Sequence, residues 1–205
     1  MVPAAVVGVV VALLVVAVVA TRLGGSGDGD GGGSVLAQTR PVTVTGTALP
    51  PAAEGGSDPA VGRTAPVVEG ASFDGRPVRI GGGGRPGMVF FVAHWCPHCQ
   101  REVPLLAPEL DRITPPGVEV VTVATGTRQG SPNYPPSKWL ADERWPTPVL
   151  ADDGKGTAAQ AYGLTGFPYF VLLDGDGKVV ARGSGGKPVA EVEALLKRVA
   201  PAEGS

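Results

Sequence analysis

Apolar residues along this chain fall into three kinds of run. The first, Val2 to Ala20, is nearly all Val, Ala and Leu and holds no charged side chain. As a helix rising ~1.5 Å per residue it reaches about 28 Å, close to the hydrocarbon thickness of a bilayer. It predicts an N-terminal transmembrane helix, an uncleaved signal anchor, within residues 1–23. A cleaved signal peptide is the alternative, since Val18-Val19-Ala20 suits a signal peptidase. Against it, no Lys or Arg precedes the run.

The second kind is short and rich in β-branched residues. Met88–Ala93, Glu119–Ala124 and Tyr169–Leu173 read as buried strands. Shorter candidates are Val67-Val68 and Pro77–Ile80, joined by a turn at Asp74-Gly75, then Pro148–Leu150 and Lys178–Arg182. The third kind has helical spacing. Val103, Leu106, Leu110 and Ile113 predict one long helix from Pro97 to about Thr114, kinked near Pro104. Short helices are expected over Lys138–Glu143, capped by Ser137, and over Thr157–Tyr162, stopped by Gly163. Val192, Leu195, Leu196 and Val199 mark a terminal helix that Pro201 ends.

Between the first run and the strands the chain changes character. Gly24 to Ser34 is a flexible linker, and Thr, Pro, Ala and Gly dominate from Val35 to Pro59. The expected division is therefore an anchor at 1–23, a flexible linker at 24–59, a folded domain at 60–201 and a tail at 202–205. About 40 residues of random coil would separate anchor and domain by roughly 35 Å on average. Within the domain the order is strand, helix, strand, helix, hairpin, helix. That order predicts an α/β fold with a small mixed sheet and helices on both faces. Gly82 to Gly87 matches G-x-G-x-x-G literally, but it precedes a strand where a phosphate loop would open a helix, so it reads as a plain loop.

Composition narrows the chemistry. A net charge of -2 over 205 residues gives no case for nucleic-acid binding. Two cysteines cannot scaffold a protein of this size, and one C-x-x-C falls short of four structural zinc ligands. No metal or other cofactor is called for. Both cysteines and both histidines lie in His94-Trp95-Cys96-Pro97-His98-Cys99, where a strand ends and a helix begins. The first N–H groups of a helix lack partners and carry partial positive charge, which favours a thiolate placed there. Cys96 is therefore the expected nucleophile. Cys99, one turn on, is the resolving thiol of a redox-active disulfide. Pro97 suits the first helical position, where an N–H would go unused. His98, if protonated, adds positive charge beside the Cys96 sulfur. Trp95 would shield the pair and offer partners an apolar rim, whereas His94 reads as a surface residue.

The pattern resembles the thioredoxin fold, and within it the membrane-anchored TlpA/ResA-like thiol-disulfide oxidoreductases. Val61–Pro66, Phe91–Cys99, Pro104, Tyr162–Pro168 and the hairpin from Leu172 to Val180 carry the likeness. The resemblance implies that Pro168 is cis, packs beside the cysteines and leaves the Phe167 backbone to pair with a substrate strand. It also implies that Glu102 assists proton transfer at Cys99. One position departs: thioredoxins place a buried aspartate six residues before the first cysteine, and here Phe90 stands there. The expected protein is membrane-tethered and extracytoplasmic. It exchanges disulfides with cysteine-containing protein substrates and with a redox partner. Reduction is slightly favoured by family, while the Cys-Pro-His-Cys turn resembles that of disulfide oxidases. Three rivals fit less well. A copper-delivery module needs wider cysteine spacing and a distant His, a peroxiredoxin has Thr where Ala93 stands, and a stapled adhesion domain would need no reactive thiol.

Overall fold

A computed structural model describes residues 36–53 and 57–201. Val2–Ala20 lies outside the described residues. Among those described, no helix is long and apolar enough to cross a membrane.

The centre is strand β4, Gly87–Val92, in which all six residues are buried. Its side chains alternate between two cores, as a period of two requires. Met88, Phe90 and Val92 point into one core, and Val89 and Phe91 into the other. A strand apolar on both faces must sit inside a sheet. β5 (Glu119–Ala124) runs parallel to β4 on one side, followed by β6 (Val149–Ala151), also parallel. β7 (Tyr169–Leu173) and β8 (Val179–Ser184) complete the other side, antiparallel. The order is β6-β5-β4-β7-β8, a mixed sheet as expected.

Helices α1 (Pro97–Leu106), α2 (Leu110–Ile113), α3 (Pro136–Asp142) and α5 (Val189–Lys197) cover the first face. The second is covered by α4 (Thr157–Ala161) and a separate antiparallel sheet of β1 (Thr43–Thr45), β2 (Val67–Ala71) and β3 (Pro77–Ile80). The Gly-rich stretch is a loop, as read from the sequence. Gly84 N–H donates to Gly175 O at 2.8 Å, tying it to the β7–β8 turn.

Four expectations need correction. The single kinked helix is two helices, because Pro108 lacks the N–H that would reach the Pro104 carbonyl and its ring clashes there. Val103, Leu106, Leu110 and Ile113 are nonetheless all buried. Ser137 is not a cap. Pro135 takes that place, Pro136 opens the helix, and Ser137 N–H donates to Gln38 Oε1 at 3.1 Å.

The third correction concerns the linker. Residues 36–53 are part of the folded unit. Thr43–Thr45 pairs with Val67–Glu69, and Leu49 is buried in the second core. Leu49 N–H donates to Ala161 O and Ala52 N–H to Gly163 O. A Cβ on Gly163 would lie 2.2 Å from Pro50 O, so only glycine admits this approach. Arg182 grips Asp58 through Nε at 2.6 Å and Nη2 at 2.8 Å. These pairings were missed because Pro, Thr and Gly in this segment show no hydrophobic period. Its register is set by partners far away in sequence. The fourth correction, at His94, belongs to the site.

Leu49→Ala tests the linker correction. Truncating a buried leucine costs about 2–4 kcal/mol. Urea unfolding of the full chain should show that loss, whereas a tether residue would leave stability unchanged.

Candidate active site

β4 ends at Val92, and Ala93 starts the turn into α1: Cys96 N–H donates to Ala93 O at 3.0 Å. Cys96 is the N-cap of α1, in extended conformation (φ -75, ψ 121), with Pro97 at the first helical position. Its carbonyl accepts from Gln100 N–H at 3.0 Å. The strand-to-helix placement expected for the two cysteines is thus present. Both are thiols here, Cys96 5% exposed and Cys99 fully buried. Burial pushes the Cys99 thiol far up from its usual value, with the Cys96 sulfur and the Glu102 carboxyl adding to the effect.

Phe167–Pro168 is cis, as the resemblance implied. Phe167 O lies 3.7 Å from Cys96 Sγ, within reach of a weak S–H donor. The Phe167 ring meets Trp95 edge to face at 5.6 Å. Trp95 is pinned by two further contacts. Its Nε1 donates to Gly126 O at 2.7 Å, and the Arg128 guanidinium lies 3.8 Å from the ring centroid.

Glu102 is 5% exposed. Its Oε1 accepts from Lys187 N–H at 3.1 Å, while Oε2 is buried without a hydrogen-bond partner. Burial lifts the carboxyl to about 7, against the opposing pull of Lys187. A solvated helix glutamate would show neither the burial nor the shift. The carboxyl therefore changes charge near neutral pH, one helical turn beyond Cys99.

His94 overturns its surface reading: it is 1% exposed. Nε2 accepts from Arg128 N–H at 3.1 Å, so Nδ1 carries the proton and donates to Pro132 O at 2.7 Å. Desolvation lowers its pKa and keeps the ring neutral. Its carbonyl accepts from Gln100 Nε2 at 2.8 Å. One residue thus fastens the loop after β5 both to the turn and to α1. His98 is exposed, and its Nδ1 accepts from Arg101 Nη2 at 2.8 Å. A guanidinium therefore stands beside the histidine at the helix start.

The structure brings together Trp95, Cys96, Cys99, Glu102, Phe167 and Pro168, with Pro97 and His98 exposed at the helix start. Sequence reasoning missed Arg128 and the bonding of His94. They stand 34 residues apart, and no local pattern connects them. Arg101 was legible, three positions after His98 on one helix face. Among the described residues, no three His, Cys, Asp or Glu side chains gather as metal ligands would.

Comparison with known proteins agrees with this geometry. The methylamine utilization protein MauD of Paracoccus denitrificans is 34% identical over 128 residues, covering 61% of this chain and 59% of MauD. The chain thus spans less than two thirds of the length of the MauD proteins it matches. The thiol-disulfide oxidoreductase ResA of Bacillus thuringiensis is 26% identical over 143 residues, covering 69% of this chain and 79% of ResA. Among solved structures, a thiol:disulfide interchange protein DsbE from Chlorobium tepidum superposes with a TM-score of 0.58 at 25% identity. That match covers 68% of this chain and 96% of the other, which establishes the thioredoxin-like fold. Since the AhpC/TSA family model matches residues 61–182, more than half of the sequence, the chain belongs to the AhpC/TSA family.

Proposed function

We propose that this protein is a thiol–disulfide oxidoreductase that exchanges disulfides with cysteine-containing protein substrates through Cys96 and Cys99. One observation carries the reading. An N-cap cysteine stands beside a cis-proline, with a second, fully buried cysteine one turn on. The Cys96 thiolate attacks a substrate disulfide, the substrate's first sulfur leaves as thiolate, and a mixed disulfide forms. Cys99 gives up its proton and attacks Cys96 Sγ. The second substrate sulfur leaves, and Cys96–Cys99 remains as the disulfide. Two electrons pass to the substrate, and an external dithiol returns them.

Burial makes Cys99 a poor acid, so its proton needs a receiver. Glu102, lifted to about 7, is suited to exchange protons near neutral pH. Trp95 and Phe167 form the apolar rim against which a substrate strand packs, and Pro168 shapes its floor. We favour reduction as the direction, supported by the resemblance to TlpA/ResA-like proteins, with disulfide oxidation as the alternative. Val2–Ala20 would tether the domain to the membrane on its extracytoplasmic side, where a dithiol enzyme finds disulfides to exchange.

Trapping tests the exchange. Cys99→Ala should retain substrate as a mixed disulfide through Cys96, and Cys96→Ala should abolish insulin reduction. Insulin left intact by the wild type would refute the reading. Rapid peroxide turnover, or tight Cu(I) retention against glutathione, would redirect it to one of the rivals.

Glu102 makes a separate prediction. Its folded-state pKa lies above the unfolded value of about 4.5. The stability it contributes is therefore full below pH 4.5 and is lost as pH rises through 7. Glu102→Gln should flatten this decline and gain on the order of 2 kcal/mol over the wild type at pH 8 relative to pH 4. Urea unfolding at the two pH values measures it. Parallel pH profiles for the two proteins would mean that Glu102 does not titrate in this range. The same variant should slow the resolving step at neutral pH, read by stopped-flow Trp fluorescence.

A further inference from the structure

Four segments are joined at the site: the turn with the start of α1 (94–101), the loop after β5 (125–135) that bonds His94 and Trp95, the approach to Pro168 (165–168) that reaches Cys96, and the stretch before α5 (184–188) that bonds Pro168 and Glu102. Their charged residues are Arg101, Arg128 and Lys187. None of the four contains an Asp or Glu. Glu102, next in sequence, is buried, and Glu191 is taken by Lys187. The chain as a whole is weakly acidic, with 19 Asp and Glu against 17 Lys and Arg. Positive charge at this mouth therefore departs from the rest of the molecule.

The two arginines hold distinctive positions. The Arg128 guanidinium lies over the ring of Trp95, the residue before Cys96, and its backbone N–H is fixed by His94. Stacking uses the face of a guanidinium and leaves its in-plane N–H donors for other partners. Among the described residues, neither Arg128 nor Arg101 has a carboxylate within salt-bridge distance. Among the described residues, the one side-chain hydrogen bond of Arg101 runs from Nη2 to the His98 ring. Both side chains belong to exposed residues. Arg128 is linked to the cysteine turn through Trp95, and Arg101 through His98.

We propose that this mouth selects substrate disulfides flanked by carboxylates, one carboxylate taking the Arg128 fork and another facing Arg101. The inference rests on the exchange activity assigned above and adds the substrate class. A guanidinium fork receives a carboxylate bidentately, which aligns the strand as well as attracting it. A strand lying across Trp95 and Phe167 would place side chains beside its cysteine near each arginine. Complementary charge raises the rate of encounter and suppresses oppositely charged partners, and salt screens both effects.

Three disulfide-linked peptide pairs of equal length test this, with Glu, Ser or Lys on both sides of the cysteine. Full-length dithiol protein should reduce the Glu pair about fivefold to tenfold faster than the Lys pair at low ionic strength. In ~1 M salt the ratio should fall towards one. Arg128→Glu should invert the order so that the Lys pair becomes the faster, and Arg101→Glu should move it in the same direction. A merely structural arginine would slow all three pairs alike when replaced. Equal Glu and Lys rates in the wild type, or a preference that survives both charge reversals, would overturn the proposal. Reduction of the Ser pair reports separately on exchange. If it proceeds without acidic preference, only the substrate assignment fails. If no pair is reduced, the exchange reading fails and this proposal falls with it.

Discussion

Burial of β4 on both faces is the constraint from which the site follows. A strand with no solvent-facing residue must lie between neighbours, and its C-terminal end then opens where the helices cross over the sheet. The chain leaves that end through a tight turn and enters α1 at Cys96. The helix terminus supplies unpartnered N–H groups and partial positive charge at one sulfur. The next turn carries the second sulfur into the core. Both cysteines are thereby buried, but only Cys96 stands at the helix terminus, with Cys99 one turn deeper.

The same contrast governs the charged groups nearby. Groups below the surface are held near or in their neutral forms: the Cys99 thiol and the Glu102 carboxyl are raised, and His94 is lowered, each chiefly by desolvation. At the rim stand guanidinium groups that keep their charge at any physiological pH. Lys187 connects the two zones. Its N–H reaches Glu102, its ammonium pairs with Glu191, and it lies over the Phe170 ring at 4.8 Å.

Residues 36–53 tie the periphery to this arrangement. Gln38 receives Ser137 N–H at the start of α3, and the β1 pairing closes the smaller sheet. Arg182, whose side chain is fully buried, meets Asp58 and also donates to the Tyr162 carbonyl at 3.2 Å. A buried guanidinium requires such partners, because leaving one unpaired would cost several kcal/mol. The core near α4 thus depends on chain that precedes the central strands.

Much of this was written in local sequence. Strands β3, β5 and β7 fall where their apolar runs placed them, because a short β-branched stretch bounded by turn residues has few alternatives. The cysteine pair, its position at a helix start and the proline beside it were likewise readable from neighbouring residues. What the sequence could not disclose depended on distant partners. His94 was destined for the core only because the β5 loop folds over it, offering Arg128 N–H and the Pro132 carbonyl. Residues 36–53 gained structure only by pairing with β2 and α4, and Arg128 reached the cysteine turn only by lying over Trp95. Hydrophobic period and turn chemistry are local quantities that a single chain reveals. Hydrogen bonds between remote segments, and the burial that shifts a proton, come into being with the packed structure.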